Sequence, residues 1–511
     1  MLIFDKIIRF SICIIMLTGS ISSVANEKIK KSTSTLRQPN AQVERPPQFV
    51  LFAFDGSKDT KFWDESVKFA ATVPTNNSNK NNLLKFTYFI NPTYYLDANY
   101  KYNYLTPGLN EKSVSCIGWS DTRDQIPVRV SKTNQAFNLG HEIGSHANSH
   151  CDQSGTDKNN PMFGHPWSEA DWTSEFDQFN HLLFDVFTVN KFSAPKEYPP
   201  RGLAFSEENI KGFRAPLLAV TDGLWPTLKK KQFRYDTSKT SVPTYWPQKQ
   251  SWGGWNFPLA SIKIAGTNRK TLSMDYNWLF FHSAGASKPN LTETERLAFR
   301  DQMLDSYKYY FKVNYFGGRA PVHIGHHFSK WNGGAYWEAM KNFAQFVCNK
   351  KEVRCVTYSE YADWLDQQSA SNLDAYRKAQ FETLPDDKTI KDIAAPLLAD
   401  VEVISNENGY EAVFSDEHEA KKFKILGYKV RLDVNFVPYS ENLISREALV
   451  NQFANTQAVI LRATLLNKAG NPINWTTYKV TNIDKDSEAI STPLEDKATE
   501  PETADAHNTP E

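Results

Sequence analysis

Three histidines fall within GHEIGSHANSH, residues 140–150. His146 and His150 are four apart, so on one helical turn both imidazoles project from the same face and reach a single ion at roughly 2.0–2.1 Å. His141 lies inside the apolar GHEIG run, where its ring runs along a strand, and it is read as a packed, hydrogen-bonded histidine. Alone, the pair is a weak signal. Other residues of the right chemistry sit at the ends of strand-like runs: Asp55 in FVLFAFDGS, Arg214 in GFRAP, Asp236 in FRYDTS, and His323, His326 and His327 in PVHIGHHF. In parallel α/β folds, the C-terminal ends of strands are where ligands bind.

The elements that must position these residues follow from periodicity. From Gln48, short apolar runs (FVLFAF, KFTYFI, GHEIG) alternate with amphipathic segments such as DTKFWDESVKFAATV, and the pattern continues to the helical SEYADWLDQQ. That alternation predicts βα units around a parallel sheet, open or closed into a barrel. The first domain is assigned to residues 48–375 and a linker to 376–389. Residues 390–483 then show period-two alternation and an Asn-Gly turn, the pattern of a small β-rich, sandwich-like domain. Residues 484–511 are acidic, rich in Thr, Pro and Glu and free of aromatics, which predicts a disordered tail.

Composition narrows the partners. Lys+Arg and Asp+Glu balance at 58 each, so no net field favours nucleic acid or an anionic membrane. Lys6 and Arg9 precede an apolar run ending at Leu17, and Ser23 and Ala25 follow, the layout of a secretory signal cut after Ala25. The run falls short of the ~20 residues of a membrane span, so the mature chain is expected to be exported, periplasmic or secreted. Residues 26–47 read as a polar leader arm. Cys116, Cys151, Cys348 and Cys355 remain after signal removal, an even set that in an oxidising compartment favours two disulfides. Cys348 and Cys355 are close enough to close a small loop, which leaves Cys116 for Cys151; four free, buried thiols are the alternative.

Taken in chain order, FAFDGS, GHEIGSHANSH, GFRAP, YDTS and IGHH resemble the five motifs of the polysaccharide deacetylases of the NodB-homology type, carbohydrate esterase family four. The resemblance spans residues 48–368. It implies a distorted (β/α) barrel and divalent-metal-dependent, most plausibly Zn²⁺-dependent, removal of N-acetyl groups from a peptidoglycan or chitin-like polymer. On it, His146 and His150 hold the metal, Asp55 takes a proton from water, Arg214 orients Asp55, His326 protonates the departing amine, and Asp236 orients His326.

The chain departs from that pattern in three places. The family's first motif carries two adjacent aspartates, a base and then a metal ligand, whereas Asp55 is followed here by Gly56. In the ungapped register, preferred because Phe54 matches the family's phenylalanine, Asp55 is the base; shifted by one, it is the metal ligand. Asp59 would supply a missing carboxylate if the turn after Gly56 folds back. Ala147 stands where the family has a hydroxyl, and the fifth motif is ambiguous among His323, His326 and His327, with His326 fitting best and His327 structural. Trp252 and Trp255, with Trp246, either stack on sugar rings beside the cleft or pack in the core, and Glu142 reads as a solvated charge. A catalytically degenerate barrel that binds glycan without turnover is the competing reading, and Gly56 is the feature that favours it.

Overall fold

The computed structural model describes residues 43–76, 83–267, 269–316, 318–378, 381, 401–415, 420–421, 423–424, 427–435, 437–453, 458–466, 470, 472–481 and 492–493. The expected signal sequence, nearly all of the expected leader arm, most of the expected linker and nearly all of the expected tail lie outside the described residues.

The strands of the first region are β1 (Gln48–Asp55), β2 (Thr87–Ile90), β3 (Glu142–Ser145), β4 (Gly212–Phe213), β5 (Tyr235–Asp236), β6 (Thr240–Ser241), β7 (Gln248–Lys249), β8 (Trp255–Asn256), β9 (Leu259–Lys263), β10 (Lys270–Leu272), β11 (Val322–His327) and β12 (Val353–Cys355). Its main sheet runs β11-β1-β2-β3-β4-β5-β8-β7, with β12 also on β1, and every pairing is parallel except β7 with β8. This is the curled, mostly parallel half-barrel of an α/β fold. Helices α1 (Thr60–Ala70), α2 (Gln125–Asn138), α3 (Glu169–Phe184), α4 (Val186–Val189), α5 (Leu224–Lys230), α6 (Asp275–Ser283), α7 (Glu293–Phe316), α8 (Trp331–Val347), α9 (Tyr358–Asp366) and α10 (Ala370–Arg377) connect the strands.

All eight residues of β1 are buried, which is why its sequence is a continuous apolar run. Val50, Phe52 and Phe54 pack into one core with helical residues such as Phe62 and Phe343, while Phe49, Leu51 and Ala53 join Tyr235 and Phe257 in a second. Consecutive side chains of a strand point to opposite faces, so Asp55 ends β1 on the side of this second, inner core. The disulfides pair Cys116 with Cys151 and Cys348 with Cys355, at Cα separations of 5.2 and 5.4 Å.

The C-terminal region holds β13 (Val401–Asn406), β14 (Gly409–Phe414), β15 (Lys429–Val434), β16 (Val437–Pro438), β17 (Leu443–Ile444), α11 (Arg446–Phe453), β18 (Ala458–Leu466), β19 (Pro472–Thr481) and β20 (Thr492–Pro493). They form two antiparallel sheets, β13-β14-β17 and β16-β15-β18-β19-β20, packed on each other. Asp433, fully buried on β15, is gripped by Arg431, Arg462 and Thr464.

Candidate active site

Asp55, His146, Arg214 and His327 meet where β1, β3, β4 and β11 end. Arg214 is fully buried; its Nη1 donates to Asp55 Oδ1 at 2.7 Å, its Nη2 to Thr237 Oγ1 at 3.1 Å and Tyr358 OH at 3.3 Å, and its guanidinium lies 4.6 Å over the Phe89 ring. Burial opposes its charge, but Asp55 more than restores it, so the guanidinium is held above its ordinary value.

His146 follows directly from β3. Its amide donates to Ile90 O at 3.0 Å, and its ring Nδ1 lies 2.7 Å from the carbonyl of Arg214. A carbonyl can only accept, so Nδ1 carries the proton and Nε2 keeps its lone pair. Among the described residues Nε2 is buried without a hydrogen-bond partner, and it lies 4.0 Å from Asp55 Oδ2. Burial drives the His146 ring down to about 3, which keeps it neutral. A histidine that gives its other N–H to a carbonyl and leaves the lone pair free is dressed as a metal ligand.

His150 sits beside it, with ring centroids 5.0 Å apart. The two are not on a helical turn as the spacing predicts. Residues 146–150 form an irregular loop in which Ala147 and His150 take φ of +54° and +55°. Glu175 of α3 braces this loop by accepting from the Asn148 amide at 2.7 Å, and Asn91 and Thr93 donate to the carbonyls of His146 and Asn148. Burial, reinforced by His146, pushes His150 down to about 3 as well.

The acid pair differs from the expected one. Among the described residues Asp236 accepts no hydrogen bond from His326; it accepts from Ser238 Oγ at 2.6 Å and Ser238 N at 3.1 Å, and burial raises it to about 6. His326 points into the helical layer, beside Phe54 and 3.2 Å from Tyr307 OH, with Nδ1 3.7 Å from Asp275 Oδ2; burial lowers it to about 4 against the pull of that carboxylate. The reason is register: on β11, His326 is the partner of Phe54 and His327 is the partner of Asp55. One residue along a strand reverses the face. His327 therefore shares the face of Asp55, and it is clamped by Asp275, the first residue of α6, through Nδ1 at 2.7 Å and its amide at 2.9 Å. Burial alone would lower His327, but Asp275 carries it above its ordinary value, and Asp275 in turn is held low. His323, deeper in the barrel, stays neutral against Tyr358.

The remaining expectations are met in part. Trp252 and Trp255 are buried (6% and 4% exposed), as is Trp246; Trp255 donates to Asp366 and Trp246 to Gly318 O, so all three are packing residues with no face for a sugar. Asp59 is the exposed N-cap of α1, accepting from the amides of Lys61 and Phe62, and is already spent there. Glu142 is buried among Thr87, Tyr235 and Ser359 instead of being solvated. His141 packs on Phe86 and accepts from its amide. Gly56 has φ +86° with open space where a Cβ would be.

Asp275 goes unremarked in the sequence, and His327 reads there as structural. The available signal was an acidic residue opening an apolar helix, MDYNWLFF, and the strand register that places the second histidine of IGHH opposite Asp55. Among the described residues no group of three or more His, Cys, Asp or Glu side chains is gathered at metal-holding spacing. The unpartnered His146 Nε2 facing Asp55 nevertheless fits a divalent cation, with His150 alongside.

No family model matches the chain, and no curated protein matches it. Among solved structures, it is similar to polysaccharide deacetylases of carbohydrate esterase family four, at low identity. A candidate polysaccharide deacetylase from Mycobacterium smegmatis is 14% identical over 65% of this chain and 95% of that one, with a TM-score of 0.36. The chitin deacetylase of Colletotrichum lindemuthianum is 13% identical over 62% and 89%, with a TM-score of 0.30. A family-four pseudoenzyme from Bacillus anthracis is 8% identical over 60% and 63%, with a TM-score of 0.26. At these TM-scores the chemistry of the site rests on this chain's own residues.

Proposed function

We propose that the chain is an exported, metal-dependent hydrolase that removes N-acetyl groups from an amino-sugar polymer, peptidoglycan or a chitin-like glycan. The observation that carries this reading is the buried, partnerless Nε2 of His146 facing a carboxylate that Arg214 orients. The donors for a divalent cation, Zn²⁺ first, are His146, His150 and Asp55 Oδ2. Such an ion, when bound, polarises an amide carbonyl and acidifies water.

The chain's own groups account for the proton traffic. Arg214 occupies Asp55 Oδ1, which leaves Oδ2 for one of two tasks, ligating the ion or taking the proton of the attacking water. His327, charged through Asp275, delivers a proton to the amide nitrogen as the C–N bond breaks and a C–O bond forms, giving acetate and a free amine. His327 and Asp275 thus take the roles expected of His326 and Asp236. The signal-like N-terminus and the two disulfides support export.

A second reading, a glycan-binding protein without turnover, is favoured by Gly56, which among the described residues leaves Asp55 as the sole carboxylate beside His146 and His150. Metal content separates the two. Purified protein is expected to carry close to one equivalent of divalent metal, and the double variant His146→Ala, His150→Ala to carry none; unchanged metal in that variant contradicts the site. Asp55→Asn is expected to keep the metal and lose acetate release if proton transfer is its main work, and to lose both if it is chiefly a ligand.

A further inference from the structure

We propose that Trp331 is the wall on which the pyranose ring of the substrate stacks beside His327. The proposal rests on the deacetylase reading above. Trp331 is half-buried, unlike Trp246, Trp252 and Trp255, and its indole N–H donates to no protein group among the described residues. Its ring lies 5.2 Å from that of His327, with the planes tilted by 51°, and 5.6 Å from that of Tyr276. An aromatic surface at that distance from the proton donor, with one polar edge unspent, suits a ring that presents C–H groups on its face and hydroxyls on its rim.

The backbone that carries Trp331 is built to hold it still. Asn332, Gly333 and Gly334 take φ of +48°, +64° and +77°, three left-handed residues in succession before α8 winds regularly from Ala335. Asn332 is buried and spends its whole side chain on fixing this turn: Nδ2 donates to Ser283 Oγ at 3.0 Å and Tyr336 OH at 2.8 Å, and Oδ1 accepts from the Lys288 amide at 2.7 Å. Ser283 ends α6, the helix whose first residue holds His327. The stacking wall and the proton donor are therefore anchored to the same helix, and their relative position is set before substrate arrives.

Trp331→Ala and Trp331→Phe in the metal-loaded full chain test this, with N-acetylglucosamine oligomers and N-acetylethanolamine as the two probes. Expected for Trp331→Ala is a rise of about tenfold in KM and in Kd for the oligomers with kcat little changed, and no change toward N-acetylethanolamine. Trp331→Phe is expected to retain most of the affinity, and the circular dichroism spectrum of both variants to match the parent. Unchanged oligomer affinity in Trp331→Ala overturns the proposal, as does an equal loss on both probes. If the parent protein binds oligomers without releasing acetate, the hydrolase reading fails while loss of that binding in Trp331→Ala still supports the wall. A parent that neither binds nor cleaves the oligomers overturns both.

Discussion

Two buried aspartates, one in each half of the molecule, contrast a saturated ion pair with one left half used. Asp433 in the C-terminal sheets is saturated: Oδ1 receives Arg431 Nε at 2.6 Å, and Oδ2 receives Arg462 Nη2 at 2.7 Å and Thr464 Oγ1 at 2.6 Å. Asp55 at the barrel mouth is only half used. Oδ1 meets Arg214, while Oδ2 accepts no hydrogen bond among the described residues and faces a histidine nitrogen that is itself unpartnered. Burial and an arginine are common to both. Leaving a buried donor or acceptor unpaired costs about 1–3 kcal/mol, and here the two unpaired atoms face each other at 4.0 Å, an arrangement that a bound cation would complete.

The largest effect that would break this comparison is on catalysis. His327→Gln is expected to lower kcat by ~10²-fold to 10⁴-fold, while His326→Gln, one residue away and turned into the helical layer, is expected to leave acetate release within a few-fold and register as a stability change instead; the reverse pattern would return the acid role to His326. Asp433→Asn should do the opposite of His327→Gln. It is expected to cost about 2–3 kcal/mol in denaturant unfolding of the C-terminal region, the value for a broken buried pair reduced for its partly exposed arginines, with kcat unchanged.

The smallest effect is a pH shift. Asp275 raises His327 above its ordinary value, and the acid must be protonated to work, so kcat is expected to fall as pH rises through that raised value. Asp275→Asn removes the attraction and leaves burial, which lowers His327, so the alkaline limb is expected to move to lower pH. A pH–rate profile of the variant with an unmoved limb would show that another group limits it.

The fold was legible because its signals are local: continuous apolar strands, amphipathic helices between them, and a change to period two after the linker. Asp55, His146, His150 and Arg214 were legible for the same reason, since each sits in a short run that marks a strand end. What failed depended on register or on burial. The choice between His326 and His327 turns on which one faces Asp55 across two strands far apart in sequence, and the spacing of His146 and His150 works through two left-handed residues instead of a helix. The tryptophans stayed open between platform and core because exposure is a property of packing: Trp252 and Trp255 are buried, whereas Trp331 is partly open.

The central claim, that the half-used Asp55 and the partnerless His146 form a hydrolytic metal site, is tested most directly by acetate release from N-acetylglucosamine oligomers and peptidoglycan, with and without a chelator. Release that stops on chelation, returns with Zn²⁺ or another divalent ion, and is absent in His146→Ala is the predicted result. No release from any of these glycans by metal-loaded protein, or release that a chelator leaves untouched, would contradict it.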